Sequence, residues 1–212
     1  YGGEDMWERH EVDPEQAKLF TRAMHSHSFP AAMGMVNPAD FSGVTRLLDV
    51  AGGSGCFCIA LATRYPEMRF TVAELESVCT LAEEYARQYG LEDRVDSLPF
   101  DMFHDEWPRG YDGVFFSNIF HDWGWKRCDH LAAKSFEALE RGGRIFLHEI
   151  LLSDSKDGPL TASAFSISMS YFTEGKQYTA AELRGILSKA GFSEITVTPT
   201  YGYYSVVSGT KA

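Results

Sequence analysis

No stretch of this sequence approaches the roughly 18 consecutive apolar residues that a membrane-spanning helix requires, so no membrane partner is expected. Basic residues are outnumbered: 19 Lys and Arg against 30 Asp and Glu leave a formal net charge of -11. An acidic surface repels phosphate backbones, which argues against nucleic acid as a partner. Cysteine is sparse. Cys56, Cys58, Cys79 and Cys128 form no C-x-x-C pair and show no zinc-finger spacing with histidine, so reduced, mostly buried thiols and no metal site are expected. Repeats and low-complexity segments are absent. No secretory leader is expected, because Tyr1 to Glu15 is polar and acidic, and the expected compartment is the cytoplasm. The chain does not open on methionine, and further residues upstream are expected.

What is present is a regular alternation of short apolar strands and amphipathic helices. Residues Pro14 to Met35 read as a helix that Pro30 should break or kink. Strands are expected at Thr45–Val50, Arg69–Ala73, Arg94–Leu98, Gly113–Ser117 and Arg144–Leu152. Helices between them are expected at Ser54–Tyr65, Val78–Tyr89 and Trp125–Glu140. An irregular helical stretch over Leu160–Phe172 follows, and then a helix opened by the capping box Thr179 to Glu182 and stopped by Gly191. Two last strands, Glu194–Thr198 and Tyr203–Ser208, flank a turn at Thr200-Tyr201-Gly202. Strands that are apolar without alternation fit a parallel sheet covered on both faces. The expected fold is a doubly wound α/β domain: a mostly parallel seven-stranded sheet with an antiparallel C-terminal hairpin. Residues 1–43 would be a helical segment contributing to the acceptor pocket, and 44–212 the catalytic domain. Such sheets bind ligands beyond the carboxyl ends of their strands.

After the first strand comes Asp49-Val50-Ala51-Gly52-Gly53-Ser54-Gly55, leading into a helix. Glycines here let the backbone turn sharply and approach a ligand closely. The dinucleotide pattern G-x-G-x-x-G fails at Cys58, and no Gly-Lys-Ser/Thr follows, so neither phosphate cradle is present. Glu74 ends the second strand, where a carboxylate can accept hydrogen bonds from both hydroxyls of a ribose. Turn and acid together describe a nucleoside cofactor without a pyrophosphate; taken alone they also fit a tight turn and a solvated glutamate. After the third strand, Phe100-Asp101-Met102-Phe103 offers an acceptor for an adenine amine and a polarizable, flat wall.

The ordered set of motifs resembles the plant-type and bacterial small-molecule O-methyltransferases, the group that includes caffeic acid and acetylserotonin O-methyltransferases. The resemblance rests on five segments: the glycine turn; Phe100 to Phe103; Ile119-Phe120-His121-Asp122-Trp123; Arg141-Gly142-Gly143-Arg144 through Glu149-Ile150-Leu151; and Gly175-Lys176-Gln177-Tyr178-Thr179. It runs from about Asp13 to the C-terminus. It implies a Rossmann-like class I methyltransferase domain that uses S-adenosyl-L-methionine. Asp49, Gly52, Gly53, Glu74, Leu75, Asp101, Met102 and Ser117 would lie at the cofactor. The family usually has glycine at Ala51, aspartate at Glu74 and, in the plant enzymes, a cofactor-contacting lysine at Ser117. His121 would be the general base, oriented by Glu149. The family's second orienting acid falls at Gln177, which is neutral, so only a modest rise of the imidazole pKa is expected. Members also carry an N-terminal dimerisation domain; the resemblance covers only the catalytic part, and a homodimer is expected of a longer natural chain.

The implied chemistry is transfer of a methyl group to a hydroxyl of a small, aromatic acceptor. A phenol is a poor nucleophile near neutral pH, and histidine is the natural base. The segment Met24-His25-Ser26-His27-Ser28 matches the part of the family that lines the acceptor pocket; helical geometry allows at most one of His25 and His27 to face it. Phe165, Met169 and Phe172 recur at near-helical spacing, as an apolar wall for the acceptor or as plain core packing. Asp122 could face the acceptor or merely cap the helix that starts near Trp125. Three other readings share the fold: an iron-dependent C-methyltransferase using His121, Asp122 and a third histidine such as His25; an N- or S-methyltransferase; and a cofactor-retaining binding or pericyclase-like protein.

Overall fold

The structure, a computed structural model, describes residues 13–212. The remainder of the polar N-terminus, residues 1–12, lies outside the described residues. Helix α1 (Pro14–Met35) begins at Asp13, whose side chain accepts from the Gln16 amide at 3.2 Å, with Pro14 in the first turn where no donor is missed. It runs unbroken through Pro30. Loss of one intrahelical hydrogen bond is outweighed by packing. Ala32 and Met35, in the turn after the proline, are buried in one cluster with Phe57, Cys58 and Leu61.

The remaining elements alternate. They are β1 (Arg46–Val50), α2 (Cys56–Ala62), β2 (Arg69–Glu74), α3 (Glu76–Gln88), β3 (Val95–Pro99), β4 (Gly113–Ser117), α4 (Trp125–Ala138) and β5 (Arg144–Ile150). A single 3-10 turn, Phe120–Asp122, joins β4 to α4. Then come α5 (Leu160–Phe172), α6 (Ala180–Ala190), β6 (Ser193–Pro199) and β7 (Tyr204–Thr210). Helix α6 carries both halves of the Thr179–Glu182 capping box and ends at Gly191 with φ 107°.

The sheet has seven strands in the order β3-β2-β1-β4-β5-β7-β6. All pairs from β3 to β5 are parallel; β7 is antiparallel to both β5 and β6. The last strand therefore slots inside the sheet and leaves β6 as the edge. Alternate residues feed two cores. Leu48, Val50, Val114, Phe116, Ile145 and Leu147 face one cluster with α4 and α6. Leu47, Phe70, Val72, Phe115 and Phe146 face the other with α1 to α3. Strand order reverses between β1 and β4, and at that switch point the carboxyl ends open onto a crevice. All four cysteines are free and buried. No helix among the described residues is long and apolar enough to cross a membrane.

Candidate active site

A cavity of about 950 Å³ lies over that switch point. Its walls bring together Asp49, Gly52, Gly53, Glu74, Leu75, Asp101, Met102, Ser117, His121, Asp122, Met24, His25, Phe165 and Met169; of the site residues expected from sequence, only the buried Glu149 and Gln177 stand behind it.

The glycine turn forms its floor. Ala51, Gly53 and Gly55 all have positive φ, at 53°, 56° and 68°. A side chain at Gly52 would collide with the Asp49 carboxylate, 2.5 Å from its Cγ. Asp49 is buried; its Oδ2 accepts from the Cys58 thiol at 3.2 Å, while Oδ1 has no partner among the described residues. Burial pushes its carboxyl up to about 7, with the Glu74 charge adding to the effect and the thiol opposing it. Glu74, recessed at the end of β2, accepts from the Leu75 amide at 2.5 Å, and burial pushes it also to about 7. An orphaned carboxylate oxygen, a second acid and a cradle that a Cβ would fill together fit a cationic nucleoside cofactor. Asp101 is partly engaged already: its Oδ1 accepts from the Phe103 and His104 amides at 2.8 and 3.1 Å, and its Oδ2 lies 2.7 Å from the His104 ring. Beside it the Arg127 guanidinium stacks on Trp123 and Phe103, at 4.5 and 4.9 Å from the ring centres.

His121 sits in the 3-10 turn beyond β4 and is buried. Its Nδ1 lies 2.9 Å from Glu149 Oε2 and 3.1 Å from the Gln177 amide nitrogen. Glu149 Oε1 accepts from the Ile119 and Phe120 amides at 3.1 and 3.0 Å, which fixes the acid and the turn together. The Gln177 amide nitrogen donates to a bare Nδ1; with the amide turned end for end, its Oε1 would accept from Nδ1–H. Burial disfavours the imidazolium, but the Glu149 charge and contact, with Asp122, outweigh it and hold the His121 pKa raised, at about 9. This exceeds the modest rise expected from the neutral Gln177. The main reason is the close Glu149 carboxylate; Asp122, whose Oδ1 lies 3.6 Å from Nε2, adds a smaller effect from the opposite side of the ring.

Helix α1 closes the cavity from above. His25 Nδ1 lies 2.8 Å from Ser54 Oγ, and its ring stacks on Tyr85 at 3.9 Å, tying α1 to the glycine turn. Both His25 and His27 border the cavity, where at most one was expected; His27 reaches it from an exposed position. Phe165, Met169 and Phe172 face the cavity from α5, of which only Ala162 is buried. Sequence reasoning missed the His104 contact to Asp101 and the His25 contact to Ser54. Periodicity signals neither: the first lies within one loop, between residues three apart, and the second joins α1 to the glycine turn.

A seven-stranded doubly wound sheet with an acceptor-lined crevice at its switch point defines the S-adenosylmethionine-dependent methyltransferase class. The chain belongs to the O-methyltransferase domain family, whose profile matches residues 1–193. It is 36% identical to the 3-hydroxy-5-methyl-1-naphthoate 3-O-methyltransferase of Streptomyces sahachiroi, over 91% of this chain and 56% of that protein. It is 32% identical to the L-tyrosine C(3)-methyltransferase of Streptomyces lavendulae, over 99% of this chain and 59% of that one. Among solved structures, an O-methyltransferase family 2 protein from Planctomyces limnophilus in complex with apigenin superposes with a TM-score of 0.84 at 30% identity, covering 94% of this chain and 62% of that one. Human N-acetylserotonin methyltransferase in complex with S-adenosylmethionine shares the fold, with a TM-score of 0.91 at 24% identity over 100% and 60% of the two chains. The chain thus spans somewhat more than half the length of these relatives. S-adenosylmethionine is the methyl donor of the family.

Proposed function

We propose that this chain is the catalytic part of an S-adenosylmethionine-dependent O-methyltransferase acting on a hydroxyl of a small aromatic molecule, with His121 as general base. The observation that carries the reading is the His121–Glu149 pair at 2.9 Å on the wall of a cavity whose floor is the glycine turn. When bound, the cofactor supplies a methyl group on a sulfonium. Asp49, Gly52, Gly53, Glu74, Leu75, Asp101, Met102 and Ser117 would hold it, the acids taking its hydroxyl and amine donors. Met24, His25, Asp122, Phe165 and Met169 would bound the acceptor. Glu149 holds the Nδ1 side of His121, with Gln177 beside it, so Nε2 is the nitrogen left to receive the acceptor proton. By taking that proton, Nε2 would make the acceptor oxygen a better nucleophile toward the methyl group that the bound cofactor would supply. Most of the acceleration comes from holding oxygen and methyl in line within a dry cavity.

The likeness to an L-tyrosine C(3)-methyltransferase supports a second reading, in which the same deprotonation directs attack through a ring carbon beside the hydroxyl. Product analysis with isotopically labelled cofactor and a panel of phenols separates the two. The base role is tested by His121→Ala: turnover should fall about 10²–10⁴-fold with affinity for S-adenosylhomocysteine nearly unchanged. Unchanged turnover would reject the base. The family resemblance also supports a homodimeric, cytoplasmic whole protein. Large apolar side chains are exposed on α5, at Leu160, Ile167 and Tyr171, and on α1 at Leu19 and Met33. Sedimentation of a longer natural chain tests the dimer.

A further inference from the structure

His148 is fully buried in β5 and takes no part in the chemistry above. It lies in register with Ser117 of β4, and its Nδ1 is 2.9 Å from the Ser117 hydroxyl oxygen. Its Nε2 is 3.4 Å from the Thr200 hydroxyl oxygen, and its ring is stacked on Tyr204 at 4.6 Å, 4° from parallel. Burial holds its pKa down to about 3, so the ring is neutral and carries one proton. Which nitrogen bears it follows from the partners. The Thr200 hydroxyl donates its hydrogen to the Tyr204 carbonyl at 3.1 Å. Toward Nε2, Thr200 can then only accept, so the proton sits on Nε2 and Nδ1 is bare. A bare Nδ1 must receive the Ser117 hydrogen.

The consequence reaches the cavity, which Ser117 lines. With its hydrogen turned inward to His148, and Asn118 donating weakly from one side at 3.5 Å, Ser117 presents a lone pair outward. Its neighbour on β1, Asp49, presents an unpartnered Oδ1 at the same strand ends. Two acceptors on adjacent strands suit a cationic donor and repel a carboxylate. We infer that His148 is a positioning residue that locks Ser117 as a hydrogen-bond acceptor for the ammonium group of the cofactor's amino-acid end. The inference rests on the cofactor reading of the glycine turn.

Two ligands test it: S-adenosylhomocysteine, and its analogue in which the amine is replaced by hydrogen. Ser117→Ala should weaken the first by about ten- to a hundredfold, the range for a hydrogen bond to a charged group. It should leave the second unchanged, and that same measurement shows that the variant is folded. His148→Phe should reproduce the selective loss in part, because the Ser117 hydroxyl is then free to turn outward. In the wild-type protein, nitrogen-15 spectra should show His148 protonated on Nε2 alone. Equal loss for both ligands, or a proton on Nδ1, overturns the assignment. Wild-type protein that binds neither ligand overturns the cofactor reading, and this inference with it.

Discussion

Asp122 Oδ1 stands 3.6 Å from Nε2 of His121, the nitrogen opposite the one that faces Glu149. The imidazole is therefore held between two acids even though Gln177 supplies no charge. A base flanked in this way is mostly protonated at neutral pH. Because only the neutral ring accepts a proton, turnover should climb as pH rises toward about 9. Asp122→Asn removes one of the charges that raise the pKa and should move the ascending limb toward neutral. A pH–rate profile of the variant checks this; a limb that stays in place would assign the raised pKa to Glu149 alone.

Glu74 and Asp49 bear on the cofactor. Replacing Glu74 by Ala should weaken S-adenosylhomocysteine by about 1.5–3 kcal/mol through loss of charge-assisted bonds to the ribose. Both carboxyls are pushed up to about 7, and the ionised form is the better acceptor. Affinity should therefore fall as pH drops from about 8 to 6. The Glu74→Ala variant should keep only the share of that dependence carried by Asp49. Calorimetry across that range measures both effects, and a pH-independent affinity would contradict them.

Ala51 occupies a left-handed conformation, φ 53°, at the position where the family usually has glycine. A side chain there costs roughly 1–2 kcal/mol, partly offset by the greater unfolded-state freedom that glycine brings. Ala51→Gly should stabilise the protein by about 0.5–1 kcal/mol net, read as a higher midpoint in urea. No change or a loss would show that the turn relaxes around the methyl group.

Gly175 backs onto the turn that carries the base. A Cβ built there would meet the His121 carbonyl oxygen and lie 2.6 Å from the carbonyl carbons of His121 and Asp122. Backbone cannot swing aside as a side chain can. Gly175→Ala should destabilise by about 1–3 kcal/mol and displace His121 from Glu149. Turnover should fall far more than cofactor affinity, a split that steady-state kinetics and calorimetry together reveal.

Much of this was legible in the sequence. Apolar runs located β1, β2, β4 and β5, the more polar β3 and β6 gave a weaker signal, and glycines and a capping box marked where helices stop and start. The order of motifs placed Glu74, Asp101 and His121 at one edge, because parallel strands deliver their carboxyl ends to the same side. Pro30 does not break the helix: a lost hydrogen bond is visible in a sequence, and the packing of Ala32 and Met35 that compensates it is not. The strength of the base misled for a similar reason. Gln177 is visibly neutral, but how closely Glu149 reaches Nδ1, with Asp122 on the other side of the ring, is fixed only by the folded turn. The Leu160–Phe172 helix was recognisable, whereas its exposure was not, because apolarity tells what prefers cover and not what supplies it.

The insertion of β7 between β5 and β6 governs how the molecule comes together. Strand β5 carries Glu149, yet its neighbour β7 is separated from it along the chain by all of α5, α6 and β6. Until that distant strand arrives, β5 is an open edge with unpaired amides and carbonyls, and the acid that sets the base has no fixed floor beneath it. Assembly of the reactive centre should therefore coincide with the slowest, most non-local step of folding, and recovery of activity after dilution from denaturant should lag behind recovery of helix content.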